Sequence, residues 1–493
     1  EAERLRRAAT LDPAITSLLR QQNRNPKSPL FGAFAEVKST DVADMNFAVG
    51  YFDPVRELLR GYALPGSTHF QSADVAYAVR LALIYNRKHC FPGCPRPGNW
   101  WVWAKQMPAC LADILALGYE ALEPADRDYL VALLDDLLGP GPIMAAGYHH
   151  GKPALDALGL FKAGLVTSDR ERLARASEGM VRCVLPYLLE PDGTPLMTVL
   201  DEQSLGVALP YTYEGYYPVV EWTTLARGTS LDLPHEFTDQ IVRYLLGQCR
   251  WTTYRDCEMA WHSYADRAVF NFHGQGMRLA GMLADLGIEP QAELRAFATG
   301  TLPEPEVCRY WPNAELLVFR TPDLYAALIL GSQVRKHFAW VYKNTVSRHG
   351  CRWYHGRDGH LVLATHPADA SPQLTYTLDP WRLTGTTVDN GSVLRSPDLV
   401  HQGRPGDYWR PQYLLCRNPM AGGVTLRDRE GAAAIAVKAR AVRARKTFCF
   451  LRDPDAIVVI ADNIAGRGPT RTVVHTMPAP VTDFTIATHY GIR

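Results

Sequence analysis

The chain has 493 residues, more than a single hydrophobic core usually serves, so two domains are expected. Hydrophobic residues make up 47% and charged residues 21%, an ordinary globular balance, and 52 basic against 51 acidic residues leave a net charge of +1. No global field therefore argues for nucleic acid or a membrane surface, no apolar run reaches bilayer-spanning length, and residues 1–20 lack the basic, apolar, small-residue order of a secretory signal.

Up to residue 300 the apolar spacing is helical, beginning with a pattern over residues 75–85. In residues 108–117, Leu111, Ile114 and Leu115 share a face, and Gly118 suits a C-terminal cap. In residues 124–138, Leu130, Leu133, Leu134, Leu137 and Leu138 form a stripe that Pro124 opens and Gly139-Pro140-Gly141-Pro142 closes. Similar patterns cover 170–185, 236–246 and 276–286, predicting an all-α domain over residues 1–300. Composition then changes, and Gly-Thr-Leu-Pro-Glu-Pro-Glu reads as part of a linker over 301–312. Short β-rich runs follow at 316–319, 325–330, 360–365, 432–439, 447–450 and 457–460, predicting an antiparallel β-sandwich over 313–493. Helices first and strands afterwards make this an α+β multidomain chain rather than one mixed sheet.

Ten cysteines are scattered, and only Cys90 and Cys94 stand close together, in Cys-Phe-Pro-Gly-Cys. That pair has no second Cys or His pair at zinc spacing. His149-His150, His262 and His273 lack the His-x-x-x-His or His-Glu-x-x-His spacing that fixes ligands on one helix face, so no metal and no cofactor is expected. Scattered thiols favour a reducing cytoplasm over secretion. No glycine-rich phosphate loop follows a strand and no Gly-x-Ser-x-Gly turn is present, so nucleotide binding and serine hydrolysis drop out.

Four stretches stand out. They are Asn99-Trp100-Trp101, then Tyr213-Glu214-Gly215-Tyr216-Tyr217, then Trp353-Tyr354-His355-Gly356-Arg357-Asp358-Gly359, and lastly residues 379–390. In the last, Asp-Pro opens a turn, Trp381 and Leu383 are apolar anchors, and Gly385 permits a backbone angle closed to other residues before Thr-Thr-Val resumes an extended run. Together, in this order, they resemble the polysaccharide lyases of family eight, the hyaluronate, chondroitin AC and xanthan lyases. Those enzymes carry Asn-Trp-Trp, Tyr-Thr-Gly-x-Tyr, Gly-Trp-Tyr-x-x-Asp-Gly and Pro-Gly-Thr-Thr at comparable points. The resemblance implies an N-terminal (α/α) toroid followed by an antiparallel β-sandwich, a cleft at their junction, and β-elimination on an acidic glycan. In that reaction a uronic acid loses its C5 proton and then its 4-linked leaving group, which requires neutralisation of the sugar carboxylate and a base near C5.

On this resemblance Tyr217 is the catalytic tyrosine. A phenol is a poor base unless positive charge lowers its pKa, so cations should lie near it; a packed, hydrogen-bonded tyrosine is the alternative. Trp100 and Trp101 match the patch on which sugar rings stack, and with Trp103 close behind they cannot all point into one core. Asn99 suits a helix cap and joins the substrate-binding set. Tyr213 and Tyr216 read as packing residues, with Tyr213 and Glu214 also kept as substrate-binding candidates.

The chain departs from the family's polar pattern. The family's His falls near Ala208, and no histidine lies between Asp192 and Tyr217; the family's Asn falls at or near Lys152. Ser-Arg-Gly-Arg-x-x-Ser-Arg becomes Tyr264-Ala265-Asp266-Arg267-Ala268-Val269-Phe270-Asn271, and the Glu before Gly-Trp-Tyr is replaced by Ser347-Arg348-His349-Gly350. His150, Lys152 and Arg267 therefore join Tyr217 as catalytic candidates, and His149, His262 and Asn271 join the substrate-binding set. For each, solvated surface or loop anchoring is the plain alternative.

The leading expectation is a carbon–oxygen lyase with a rebuilt polar site, acting as a monomer on an acidic glycan or a small molecule, with no nucleic-acid or membrane partner. An intracellular biosynthetic enzyme that performs elimination, dehydration or cyclisation of a small molecule is the second reading. A glycan-binding protein without catalysis is the third.

Overall fold

In the computed structural model the described residues are 2–34, 47–96, 102–141, 143, 151–189, 191–194, 199–201, 204–205, 209–254, 257–258, 274–333, 358–365, 385–389, 418–439, 442–452, 455–466 and 470–472. The chain divides into two compact units. One comprises Glu1–Ala146, His150–Pro186 and Glu214–Pro234; the other comprises Gly147–His149, Tyr187–Tyr213 and His235–Arg493.

The first unit is helical. It contains α1 (Ala2–Gln21), α2 (Phe47–Ala63), α3 (Ala73–His89), a π-helical turn (Val102–Gln106), α4 (Met107–Leu117), α5 (Pro124–Leu138), α6 (Lys152–Thr167) and α7 (Arg170–Cys183). Helix α8 (Leu209–Ala226) contributes its portion from Glu214 onward. Prolines stand in the first turns of α4, α5 and α6, where a missing N–H breaks no helical bond. Helix α4 packs against α2, α5 and α6, and its Leu111, Ile114 and Leu115 are fully buried, each worth about 1.5–3 kcal/mol of hydrophobic stabilisation.

The expected leucine stripe on α5 is sharper in the structure: Leu130, Leu133 and Leu134 are buried, whereas Leu137 and Leu138 are only half-buried near the helix end. Gly139 caps α5 at φ 75°, but Gly118 caps α4 at φ −94°, outside the left-handed region. Glycine is needed at position 118 for space instead, because a Cβ there would sit 2.7 Å from the Ile114 carbonyl oxygen and 2.9 Å from Leu59 Cδ1.

The second unit holds two short hairpins, β1 (Val199–Asp201) with β2 (Ser204–Leu205) and β3 (Thr253–Tyr254) with β4 (Cys257–Glu258). Both lie within the region expected to be purely helical; strands of two or three residues are too short to show an alternation. The same unit has α9 (Glu236–Tyr244), a second π-helical turn (Leu245–Cys249), α10 (Gln275–Asp285) and α11 (Gln291–Ala298).

Two four-stranded antiparallel sheets follow. One has the order β5 (Val307–Trp311), β6 (Leu316–Arg320), β7 (Tyr325–Leu330), β8 (Asp358–Ala364). After β9 (Thr387–Asp389), the other has the order β10 (Met420–Leu426), β11 (Glu430–Ala439), β12 (Val442–Arg452), β13 (Asp455–Ala465), and β9 itself pairs with β14 (Thr470–Thr472). Strand β5 corrects the expected linker over 301–312, whose proline- and glutamate-rich part stops at Glu306, immediately before the strand. The sheets face one another through Leu317, Phe319, Ala326 and Leu328 on one side and Ile435, Val437, Phe448 and Phe450 on the other, with the Phe319 and Phe450 rings 5.7 Å apart.

Every residue of β6 and β7 is buried, so this sheet is covered on both faces. On the face away from the second sheet, Tyr325 meets Tyr254, with ring centroids 5.9 Å apart. Arg320, wholly buried, donates there to the Thr253, Arg250 and Trp251 carbonyl oxygens and pairs with Glu304. That guanidinium ties β6 to the segment leaving the second π-helical turn.

Candidate functional site

Helix α8 is the element on which the candidate chemistry is built. Its inward positions, among them Tyr216, Val219, Val220 and Trp222, are buried, and Trp222 stacks on Phe161 of α6 at 3.9 Å between ring centroids. Glu214, Tyr217 and Glu221 recur three and four residues apart and are half-exposed, forming one polar stripe beside that apolar face. Pro218, inside the helix, has no N–H to give the Glu214 carbonyl oxygen, so the helix lacks a backbone bond within this stripe.

Each glutamate of the stripe is met by a lysine that is almost completely buried. Lys105 Nζ donates to Glu214 Oε2 at 2.6 Å, and the Lys105 side chain is 1% exposed. Lys162 Nζ lies 2.5 Å from Glu221 Oε1 and 2.5 Å from Asp113 Oδ1. Burial works against the Lys162 ammonium, but Asp113 and Glu221 outweigh it and raise its pKa, so it stays charged. Tyr217 thus occupies a helix face with a buried ammonium engaged at the position before it and another at the position after it.

Lys105 comes from the π-helical turn, an irregularity that re-aims side chains and recurs at functional sites. Glu214 is pressed from the other side by the residue preceding α6: a Cβ at Gly151 would fall 2.3 Å from Glu214 Cβ. Lys152 is the first residue of α6 and pairs with Asp156 one turn on. Burial raises the Asp156 pKa, while Lys152 and Lys105 oppose that rise. Asp156 Oδ1 is buried without a hydrogen-bond partner, so Lys152 serves only one of its two oxygens. Lys105, Glu214, Lys152 and Asp156 form a mixed-charge cluster that can hold a carboxylate or relay a proton. Among the described residues no group of His, Cys, Asp and Glu is arranged to hold a metal ion.

The structure therefore brings Lys152, Glu214 and Tyr217 into one helical unit. Tyr213 is buried in packing, with its hydroxyl 3.8 Å from Cys249 Sγ. Asn99, Trp100, Trp101, His149, His150, His262, Arg267 and Asn271 lie outside the described residues. Lys105, Asp156, Lys162 and Glu221 were not anticipated. A signal for the first existed: Lys105 is a lone charge in Val-Trp-Ala-Lys-Gln-Met, and Glu214 is a lone charge in Tyr-Thr-Tyr-Glu-Gly-Tyr-Tyr, as expected for two halves of one buried pair.

A second polar cluster surrounds Gly385 in the sandwich. Gly385 has φ 81°, and a Cβ there would lie 2.5 Å from the Gly359 carbonyl oxygen. Lys446, 1% exposed, donates to the Gly385 carbonyl oxygen, and burial drives its pKa down to about 7. Asn418 joins the cluster by donating to Asp358 Oδ1 at 2.8 Å and to the Gly331 carbonyl oxygen at 2.9 Å. Of the turn-rich stretch 379–390, residues 385–389 are described, and they are anchored here and in β9.

Residues 11–194 match the sequence profile for the N-terminal α-helical domain of polysaccharide lyase family 8, and residues 306–479 match that for its super-sandwich domain. A hyaluronate lyase of Thermasporomyces composti is 28% identical over 141 residues, covering 28% of this chain and 18% of the relative. The chondroitin AC lyase of Streptomyces coelicolor A3, solved with chondroitin sulphate, superposes with a TM-score of 0.72 at 17% identity, over 95% of this chain and 68% of that one. A Paenibacillus xanthan lyase gives 0.70 at 15% identity, over 95% of this chain and 46% of its own. The chain thus spans less than half the length of the hyaluronate and xanthan lyases it matches. The fold class is an (α/α) toroid followed by an antiparallel β-sandwich. With one family profile matched in the helical part and its companion in the sandwich, in that order, the chain belongs to polysaccharide lyase family 8.

Proposed function

We propose that this protein is a carbon–oxygen lyase that performs β-elimination on a uronic-acid-containing or other acidic substrate. The observation that carries this reading is the α8 stripe, where Tyr217 stands between two glutamates each matched by a buried lysine. Tyr217 takes the C5 proton or returns a proton to the departing oxygen. The C5–H electron pair becomes the C4–C5 double bond as the C4–O bond breaks. A cation must lower the acidity barrier by neutralising the substrate carboxylate, and Lys152, His150 and Arg267 are the residues assigned to that task. Trp100 and Trp101 are assigned to sugar stacking, with Asn99, Glu214, His149, His262 and Asn271 as polar contacts.

One observation favours a smaller or differently charged substrate. The Lys152 ammonium, at or near the family's Asn position, is already paired with Asp156, so less of its charge is available to a polymer carboxylate than an unpaired cation would offer. A small-molecule elimination enzyme on the same scaffold is therefore the second reading.

The test is the mass of the products from hyaluronan, chondroitin, xanthan and alginate. Elimination yields fragments that add up to the starting chain, whereas hydrolysis adds one water at each cut. Unsaturated fragments support the glycan reading. Intact polymers throughout, from protein shown to be folded, overturn it in favour of the small-molecule reading.

A further inference from the structure

Away from the α8 stripe, the Cys90-Phe91-Pro92-Gly93-Cys94 turn places two thiols together. Helix α3 ends at His89, and the N–H of Cys90 closes it on the Asn86 carbonyl oxygen at 2.7 Å. The chain then folds back, with the Cys94 N–H donating to the Phe91 carbonyl oxygen at 2.9 Å and Gly93 at φ 79°. Helix α5 holds both ends of the turn. Tyr129 donates to the Cys90 carbonyl oxygen at 2.6 Å, while Asp136 accepts from the Gly93 N–H at 2.9 Å and pairs with Arg96 at 2.7 Å.

The result is two cysteines with 0% and 5% exposure, brought together by the turn closed from Cys94 to Phe91, beneath Phe91, Pro92 and Gly93, which are exposed. Both sulfurs therefore lie one layer below solvent, on a turn held from outside and closed by few bonds of its own. The other buried thiols among the described residues differ. Cys110 is paired with Asp53, Cys183 donates to the Ile143 carbonyl oxygen, Cys249 lies beside the Tyr213 hydroxyl, and Cys308 sits in the sandwich core.

We propose that Cys90 and Cys94 form a reversible redox-modification site, closing to an intramolecular disulfide by exchange with a low-molecular-weight disulfide such as oxidised glutathione. The Cys94 thiolate attacks one sulfur of the small disulfide and expels one thiolate, leaving a mixed disulfide. Cys90 then gives up its proton, attacks Cys94 Sγ and expels the second small thiol. The protein loses two protons and two electrons, and one small disulfide is reduced to two thiols.

The order of attack follows from the electrostatics. The hydrogen bond from Cys90, with Arg96 close by, holds the Cys94 thiol down at about 6, whereas the same hydrogen bond and burial push Cys90 up. Burial, reinforced by Asp428 and Glu430, pushes Cys308 up to about 12, and burial, reinforced by Asp53 and Asp113, pushes Cys110 well above the ordinary thiol range, which leaves them unreactive.

The experiment equilibrates the reduced protein with glutathione at a series of reduced-to-oxidised ratios, quenches in acid, and alkylates free thiols under denaturing conditions for peptide mapping. The expected result is loss of two hydrogens in the peptide spanning Cys90 and Cys94, reversed by dithiothreitol, while Cys110 and Cys308 remain alkylated. Cys90→Ser should trap glutathione on Cys94, and Cys94→Ser should leave Cys90 unmodified. Full alkylation of Cys90 and Cys94 at every ratio, or a glutathione adduct on wild-type protein that never resolves to the internal disulfide, would overturn the proposal.

Discussion

Lys105 and Glu214 are a partly buried pair, and removing the ammonium alone should cost more than removing both partners. Lys105→Met leaves the Glu214 carboxylate against Gly151 without its ammonium, and such an uncompensated charge costs about 3–5 kcal/mol when fully buried. Because Glu214 keeps 24% exposure, the loss should sit at the low end, about 3 kcal/mol. Replacing both partners, Lys105→Met with Glu214→Leu, should recover most of it. Chemical denaturation of the single and double variants measures this directly; a double variant no more stable than Lys105→Met would show that the pair is not the source of the loss. Tyr217→Phe, by contrast, keeps the ring and leaves both ion pairs of the stripe in place. It should leave the denaturation midpoint nearly unchanged while lowering kcat by about 10²–10⁴-fold, as expected for a proton-transfer group.

At the scale of elements, two glycines decide how backbone segments meet the polar groups. Gly151→Ala directs a methyl group at Glu214 Cβ, 2.3 Å away, so it should displace the helix stripe and depress kcat more than stability. Comparing turnover with the thermal midpoint separates these effects, and an equal loss of both would mean that the contact merely packs. Gly385→Ala meets both a φ of 81° and the Gly359 carbonyl oxygen at 2.5 Å, so destabilisation by about 2–3 kcal/mol is expected from strain and clash together. A differential scanning measurement showing an unchanged midpoint would contradict that packing.

The sequence made the elements with strong periodicity readable. The leucine stripe of α5 with its flanking Pro124 and Gly139, and the β7 run Tyr325–Leu330, stand where spacing put them. The Gly385 backbone angle was also readable, because a glycine before two threonines in a turn has few other uses. What was hidden depends on tertiary partners. The π-helical turn that aims Lys105 has no composition signature, and Arg320 reads as an exposed strand end until the Thr253 carbonyl is seen to receive it. Tyr217 was reachable only through its motif, whereas the pairing of Lys162 with Glu221 joins residues far apart in the chain.

For the whole molecule, the buried Lys446 links sandwich stability to pH. Its folded-state pKa, about 7, lies below the ordinary lysine value of 10.5, so between those values the unfolded chain holds a proton that the folded chain does not. Stability should therefore rise with pH across that window, with a contribution of up to about 1.4 kcal/mol per pH unit from this group. Below it both states are protonated and the contribution is flat. Lys446→Met should remove that slope in denaturation curves measured across the window, and an identical slope in the variant would assign it to other groups.

The proposed elimination on a rebuilt polar site is centred on Tyr217 of α8. The most direct test is the initial rate of ultraviolet absorbance from the unsaturated uronate product, with wild-type protein and Tyr217→Phe side by side on hyaluronan, chondroitin, xanthan and alginate. A rise is expected on at least one acidic polymer, reduced at least a hundredfold by Tyr217→Phe, about the lower limit for losing a proton-transfer group. A rise of equal rate in both proteins, or none with any polymer from folded wild-type protein, would contradict it.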